Sequence, residues 1–142
     1  MVKEGQLKFI GRVESAGELS KVKVFPEFCR GLQHLDDFSY VIIVYWFHVR
    51  DNEKERSVLK VVPRRHPSAP EVGVFASRSP SRPNPVGLCV TELLEKKGCI
   101  LTLKGLDALQ NSPIIDIKPY IPRLDSISEA HVPEWTTRRP PT

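Results

Sequence analysis

Gly73-Val74-Phe75-Ala76-Ser77-Arg78-Ser79-Pro80-Ser81-Arg82-Pro83-Asn84-Pro85-Val86-Gly87-Leu88 changes character twice along its length. It opens as a short apolar strand, turns into a loop that is basic and stiff, and ends in the apolar run that starts at Val86. Pro80, Pro83 and Pro85 each fix φ and remove a backbone donor, which keeps the loop out of any sheet or helix. Ser79, Arg82 and Asn84 each precede a proline and are pushed toward extended backbone. The path is largely set before folding, and it holds Arg78, Arg82 and Asn84 in fixed directions. Entropy given up in advance suits polar side chains pre-organised for a ligand. The plainer reading of the same residues is a rigid crossover between two strands with solvated arginines.

On the C-terminal side, residues 86–95 and 99–104 are two apolar runs around Lys96-Lys97-Gly98, which predicts a hairpin. A polar loop over residues 105–113 follows. Residues 114–121 then alternate, so an extended chain puts Asp116, Lys118 and Tyr120 on one face and Ile115, Ile117 and Pro119 on the other. An acid, a base and an aromatic ring would share one side; a surface salt bridge beside a tyrosine accounts for the same pattern. Pro119 marks an edge strand or a strand end.

On the N-terminal side, Pro63-Arg64-Arg65-His66-Pro67-Ser68-Ala69-Pro70 is a basic, proline-bounded loop, open to contact with phosphate or simply solvated. Residues 58–62 read as a strand and residues 51–56 as a charged turn. Tyr40-Val41-Ile42-Ile43-Val44-Tyr45-Trp46-Phe47 is β-branched and aromatic throughout and predicts a central strand buried on both faces. His48 ends that strand, as a hydrogen-bonded cap or as a pocket-lining residue. Residues 29–35 allow one or two helical turns. Residues 7–13 and 21–24 alternate as half-buried strands. From residue 123 the chain is polar; Trp135 is expected to pin this tail to the domain or to a second subunit, and Arg138, Arg139, Pro140 and Pro141 to fray. The expected division is a domain over 1–125 and a tail over 126–142. Seven or eight short strands with almost no long helix make the fold all-β, a small closed β-barrel with little helix, which leaves no exposed sheet edges.

The 142 residues suffice for one domain with a real core. Thirteen prolines among them exceed the usual share of about 5% and favour a loop-rich β fold. The net charge of +4 and a pI near 9.1 suit an anionic partner such as RNA. The odd cysteine count (Cys29, Cys89, Cys99) without a CxxC pair argues against a disulfide framework and for a reducing interior. The four histidines have no zinc spacing with them, so no metal is expected. No signal peptide is read at the start, and the longest apolar run, residues 40–47, is far shorter than the roughly 20 residues that span a bilayer. The expectation is a soluble, cytoplasmic protein. P-loop, GxGxxG, HExxH and GxSxG motifs are all missing.

The stretch at 73–88, followed about thirty residues later by Asp116-Ile117-Lys118-Pro119-Tyr120, resembles the signature of the TsaA-like domain family. Ile10-Gly11-Arg12-Val13 and the strand ending in Phe47-His48 support the match, which covers roughly residues 6–125. That family contains S-adenosylmethionine-dependent tRNA (adenine-N6)-methyltransferases, transferases of tRNA processing and tRNA modification. The resemblance implies a β-barrel, a homodimer and bound S-adenosyl-L-methionine. It also implies a reaction on N6 of threonylcarbamoyladenosine beside the anticodon. Carried over by motif, the cofactor contacts are His48, Val49, Arg78, Leu88, Leu109, Gln110, Asn111 and Ser112. Arg78 has the chemistry for the methionine carboxylate. His48 and Asp116 are candidate proton acceptors. Arg65, Arg82, Asn84, Lys118 and Tyr120 are candidate contacts to the RNA, with Tyr120 suited to stacking on a base.

Two departures bear on this. Gln110-Asn111-Ser112-Pro113 stands where many members have Asp-Gly-Thr-Pro; asparagine tolerates positive φ and is expected to fill the glycine's place. The chain also ends soon after the barrel, where the better-known bacterial enzymes carry a C-terminal extension used in tRNA recognition. A module that binds S-adenosylmethionine without methyl transfer is the alternative reading, and a plain RNA-binding barrel a third.

Overall fold

The computed structural model of the chain describes residues 1–137; Arg138, Arg139, Pro140 and Pro141 lie outside the described residues. The chain divides into two compact units, Met1–His48 with Val86–Pro122, and Val49–Pro85 with Arg123–Thr142. Residues 49–85, read from the sequence as part of one domain ending at 125, thus form the second unit together with the C-terminal residues.

The first unit is a closed barrel. Its strands are β1 (Gly11–Ser15), β2 (Leu19–Val24), β3 (Tyr40–Trp46), β6 (Val86–Lys97), β7 (Ile100–Lys104) and β8 (Pro113–Pro119). They run in the order β1-β2-β7-β6-β3-β8 and pair antiparallel throughout, with β8 closing on β1. The expected hairpin is β6–β7, and Gly98 supplies its left-handed turn residue (φ 60°). The interior is filled from one face of each strand, by Val13, Val22, Val24, Val41, Ile43, Leu101, Leu103 and Ile114, all at 1% exposure or less. β3 is central, between β6 and β8, but it is not buried on both faces as expected. Val41, Ile43 and Tyr45 point inward, while Ile42 and Val44 stay partly open and Tyr40 is exposed. A small barrel takes only alternate residues of each strand into its core.

Three other expectations change, while Pro119 ends its strand as expected. Residues 7–10 are not strand; β1 begins at Gly11, and Phe9 rests on Trp46 with ring centroids 5.9 Å apart. β8 carries a bulge: Asp116 pairs with Val44 and Ile114 with Tyr45, leaving Ile115 without a partner position. The extra residue lets Ile114 and Ile117 both face the core, which strict alternation does not allow. Pro119 pairs with Val41 as the last residue of the strand. Finally, Cys29 and Cys99 are joined by a disulfide, Cα atoms 5.4 Å apart, and Cys89 is free. An odd count excludes complete pairing, not one pair. The bond fastens the 3-10 segment Pro26–Leu32 to the turn of the β6–β7 hairpin. Lys96 adds a hydrogen bond to the Leu32 carbonyl (3.1 Å) and an ion pair to Asp36 (3.2 Å).

In the second unit the expected strand at 58–62 shrinks to β4 (Lys60–Val61), paired with β5 (Val72–Gly73). The charged turn at 51–56 is a single helical turn, α1 (Glu53–Arg56), capped by the Asn52 side chain accepting from Glu55 N (2.9 Å). Among the described residues no helix is long and apolar enough to cross a membrane.

A Cβ on Gly87 would lie 2.6 Å from the Phe47 ring and 2.7 Å from the Tyr45 ring. Gly87→Ala should therefore lower stability by about 1–3 kcal/mol, the usual range for overpacking, in urea unfolding. With the two half-cystines 70 positions apart in sequence, Cys29→Ser should cost about 2–4 kcal/mol, and reductant should have the same effect on the wild type but none on the variant.

Candidate functional site

Within the barrel unit, the register gathers one group of expected contacts at one end. Tyr45 pairs with Ile114 and Trp46 with Val86, so the end of β3 meets the starts of β6 and β8. His48 follows Trp46 by two residues, Leu88 is the third residue of β6, and residues 109–112 lead directly into β8. The 109–112 segment is a tight turn in which Ser112 N donates to Leu109 O (3.1 Å) and Asn111 takes φ 71°. Asparagine fills the left-handed position as expected; its short polar side chain lowers the cost of that conformation. The turn is bound to β1 by Asn111 N to Val13 O (2.8 Å) and Val13 N to Ser112 O (2.9 Å). Arg12 also donates to Asn111 Oδ1 (3.3 Å).

These bonds narrow what the loop can offer a ligand. The amides of Asn111 and Ser112 are used within the protein, while among the described residues those of Leu109 and Gln110 are not. β6 pairs with β7 only from Glu92 onward, so its first residues, including Leu88, are strand-paired on the β3 side alone. Leu88 and Leu109 are 51% and 58% exposed. His48 Nδ1 is buried and, among the described residues, has no hydrogen-bond partner. Such an atom costs about 1–3 kcal/mol unless something satisfies it. Exposed leucines, spare backbone groups and one orphaned ring nitrogen match a planar heterocycle with apolar faces and a polar edge. The residues present therefore fit the adenosine part of S-adenosylmethionine.

Tyr45 supports this end from inside the barrel, and the sequence reading did not single it out. Its ring stacks edge-on with Phe47 (5.2 Å), and its hydroxyl donates to the Asp107 carbonyl in the connection to β8. The available signal was a hydroxyl-bearing ring at an inward position of a buried strand, since a buried tyrosine hydroxyl usually has a partner.

Asp116 lies on the outer face of β8. It shares a row with Val44 and Leu88, about 10 Å from Leu88 across two strand spacings. Its carboxylate accepts from Ile117 N (2.9 Å) and pairs with Lys118 (2.9 Å). That bond holds the Lys118 ammonium above its usual range. The acid and base do share a face, and they use it for an exposed ion pair. Tyr120 is bonded through its N–H to Tyr40 O (3.0 Å) at the other end of β3. Six residues from Ile114, that is about 20 Å along the strand, so it is not brought to the His48 end.

In the second unit, Val49 and Arg78 are exposed, and the Arg78 guanidinium has no partner among the described residues. Asn84 and Arg65 are exposed as well. Arg82 is turned into its own loop, donating to the carbonyls of Ser77 (3.1 Å) and Ser79 (3.0 Å). Helix α1 grips the same loop. Arg56 Nε donates to Pro83 O (2.9 Å). Arg50 donates to Ser81 Oγ (3.0 Å) and Glu55 Oε2 (3.2 Å), and the Ser81 hydroxyl donates to Glu55. The Ser81 bond, with Arg50 second, holds the Glu55 carboxyl below its ordinary 4.5. Proline stiffness was legible in the sequence; this knot was not, because it joins residues 26 apart through side chains ordinary in any charged turn.

A closed six-stranded antiparallel barrel with a half-paired strand and an orphaned histidine at one end defines a small barrel protein with a site for a heterocyclic ligand. The chain belongs to the tRNA-methyltransferase O N-terminal domain family, which it matches over residues 12–126, in keeping with the TsaA-like resemblance. It is 49% identical over 117 residues to a "Probable S-adenosyl-L-methionine-binding protein" of Methanothermobacter thermautotrophicus, covering 82% of this chain and 79% of that one. It is 41% identical over 119 residues to an "S-adenosyl-L-methionine-binding protein" of Archaeoglobus fulgidus, covering 84% and 80%. A crystal structure of TrmO from P. aeruginosa superposes with a TM-score of 0.73 at 25% identity. The match covers 94% of this chain and 62% of TrmO, so the chain spans about three fifths of that protein.

Asn111→Ala should cost about 1–2 kcal/mol through its left-handed backbone and Asn111→Gly far less, read by thermal unfolding together with cofactor titration. Glu55 has a lowered folded-state pKa, so its stabilising contribution is complete above 4.5 and is lost as pH falls through the folded value. Protection factors of the amides over residues 77–85, taken relative to intrinsic exchange rates, should fall on acidification in that window, and Glu55→Gln should remove that fall.

Proposed function

We propose that the protein is an S-adenosylmethionine-dependent methyltransferase acting on tRNA, with N6 of threonylcarbamoyladenosine as the acceptor. The observation that carries the proposal is the cluster at the barrel end, with His48 Nδ1 buried and unpartnered beside the half-paired start of β6, in a chain of this family. S-adenosylmethionine, when bound, supplies a methyl group activated by its positive sulfur. Leu88 and Leu109 would cover the faces of the adenine, and the amides of Leu109 and Gln110 would meet its polar edge. The orphaned His48 nitrogen would gain a partner. The family signature gives Arg78 the methionine carboxylate, a charge-assisted and bidentate contact. As the acceptor nitrogen forms its bond to carbon it gives up a proton. His48 is favoured over Asp116 as the receiving group, because both Asp116 oxygens are already engaged. The exposed Asn84 and Arg65 suit contact with RNA. The homodimer implied by the family resemblance is part of the same proposal.

The second reading, a binding module without transfer, is favoured by the Asp116–Lys118 ion pair and by the names of the archaeal relatives. Incubation with methyl-labelled S-adenosylmethionine and tRNA separates the two. Label in N6-modified adenosine supports the enzyme; saturable cofactor binding with no label, where a bacterial TrmO labels its own substrate, supports the module. Arg78→Ala should weaken cofactor binding by about 1.5–3 kcal/mol in calorimetry with little loss of fold, and unchanged affinity would remove Arg78 from the site.

A further inference from the structure

The charge of the chain is unevenly divided. Residues 49–85 hold eight Lys and Arg against four Asp and Glu, and the other residues hold thirteen against thirteen. The whole formal excess of +4 therefore lies in the segment outside the barrel strands. Within it, residues 63–70 connect β4 to β5, strands of only two residues each, which anchor a loop weakly. The loop is nonetheless folded. His66 N donates to Pro63 O (3.3 Å), Ala69 N donates to His66 O (3.2 Å), and Ser68 takes φ 64°. Arg64 and Arg65 stand exposed on it.

A contact from outside the loop braces it. Trp135 meets His66 edge-on, ring centroids 5.5 Å apart at 65°. Trp135 sits in the 3-10 turn Glu134–Thr137. Thr136 donates to Pro133 O through its N–H (3.0 Å) and its hydroxyl (2.7 Å), and Thr137 Oγ1 donates to Glu134 O (2.6 Å). The C-terminal segment thus brings the Trp135 ring to the centre of the basic loop. A solvated loop needs no such brace. A loop that presents two guanidinium groups to a phosphate backbone gains from one, since ordering is then not charged against binding.

We infer that Trp135 is a positioning residue for RNA: by clamping His66 it fixes residues 63–70 so that Arg64 and Arg65 take phosphates of the tRNA. The inference rests on the RNA-methyltransferase reading. The test is tRNA binding by the full chain across a salt series, with S-adenosylmethionine titration as the control. Arg64→Ala and Arg65→Ala should each lower the slope of log affinity against log salt by about 0.7, the value for one phosphate contact on single-stranded nucleic acid. Trp135→Ala should lower tRNA affinity about three- to tenfold, the scale of an aromatic pair, and flatten the salt slope, with cofactor affinity unchanged. His66→Ala should repeat the loss from the other side of the contact, and Trp135→Phe should restore most of it. Wild-type affinity and slope in Trp135→Ala would overturn the clamp while leaving the RNA reading intact. A wild-type chain that binds cofactor but no tRNA would overturn the RNA reading, and the clamp's role with it.

Discussion

The barrel closes on a seam that is almost too short. β1 and β8 share only two paired positions, Gly11 with Ile114 and Arg12 with Pro113. The seam is completed by Ile10 N to Ile114 O on one side and by the Val13 bonds to Asn111 and Ser112 on the other. Those last two residues belong to the turn that forms part of the candidate site. Closing the sheet and shaping the site are therefore one act, performed by the same backbone groups. On its other side β1 lies so close to β2 that a Cβ on Gly11 would stand 2.3 Å from the Lys23 carbonyl oxygen. The left-handed Asn111 and the Tyr45 bond to Asp107 then hold the connection from outside and from within.

This arrangement gives a site whose rigidity comes from the closed sheet. Its polar groups fall into two kinds. Those of Asn111 and Ser112 carry the seam; those of Leu109, Gln110, His48 and the first residues of β6 are left over. A ligand that bound through the first kind would compete with the fold, and one that binds through the second completes it. The same division separates Asp116, satisfied by its neighbours, from His48, which is not.

Much of the architecture was legible because it rests on local pattern. The run at 40–47, the hairpin about Gly98 and the proline-set path at 77–85 each announce themselves within a few residues. What could not be read arises between distant residues. The bulge at Ile115 depends on what β3 presents to β8. The Cys29–Cys99 bond joins a 3-10 segment to a hairpin turn. The Arg50–Glu55–Ser81 knot and the Trp135–His66 contact bring together side chains that look unremarkable in their own neighbourhoods. For the site, motif resemblance singled out the right turn but not which of its amides are spoken for, since that is decided by a strand almost one hundred residues away.

The disulfide has a topological consequence. It turns residues 29–99 into a covalent ring, and the whole of 49–85, with the basic loop inside it, is an arc of that ring. A single backbone cut anywhere in that arc would open the ring without releasing a fragment. An oxidised chain nicked in that arc would still travel as one molecule, and would come apart only when reduced.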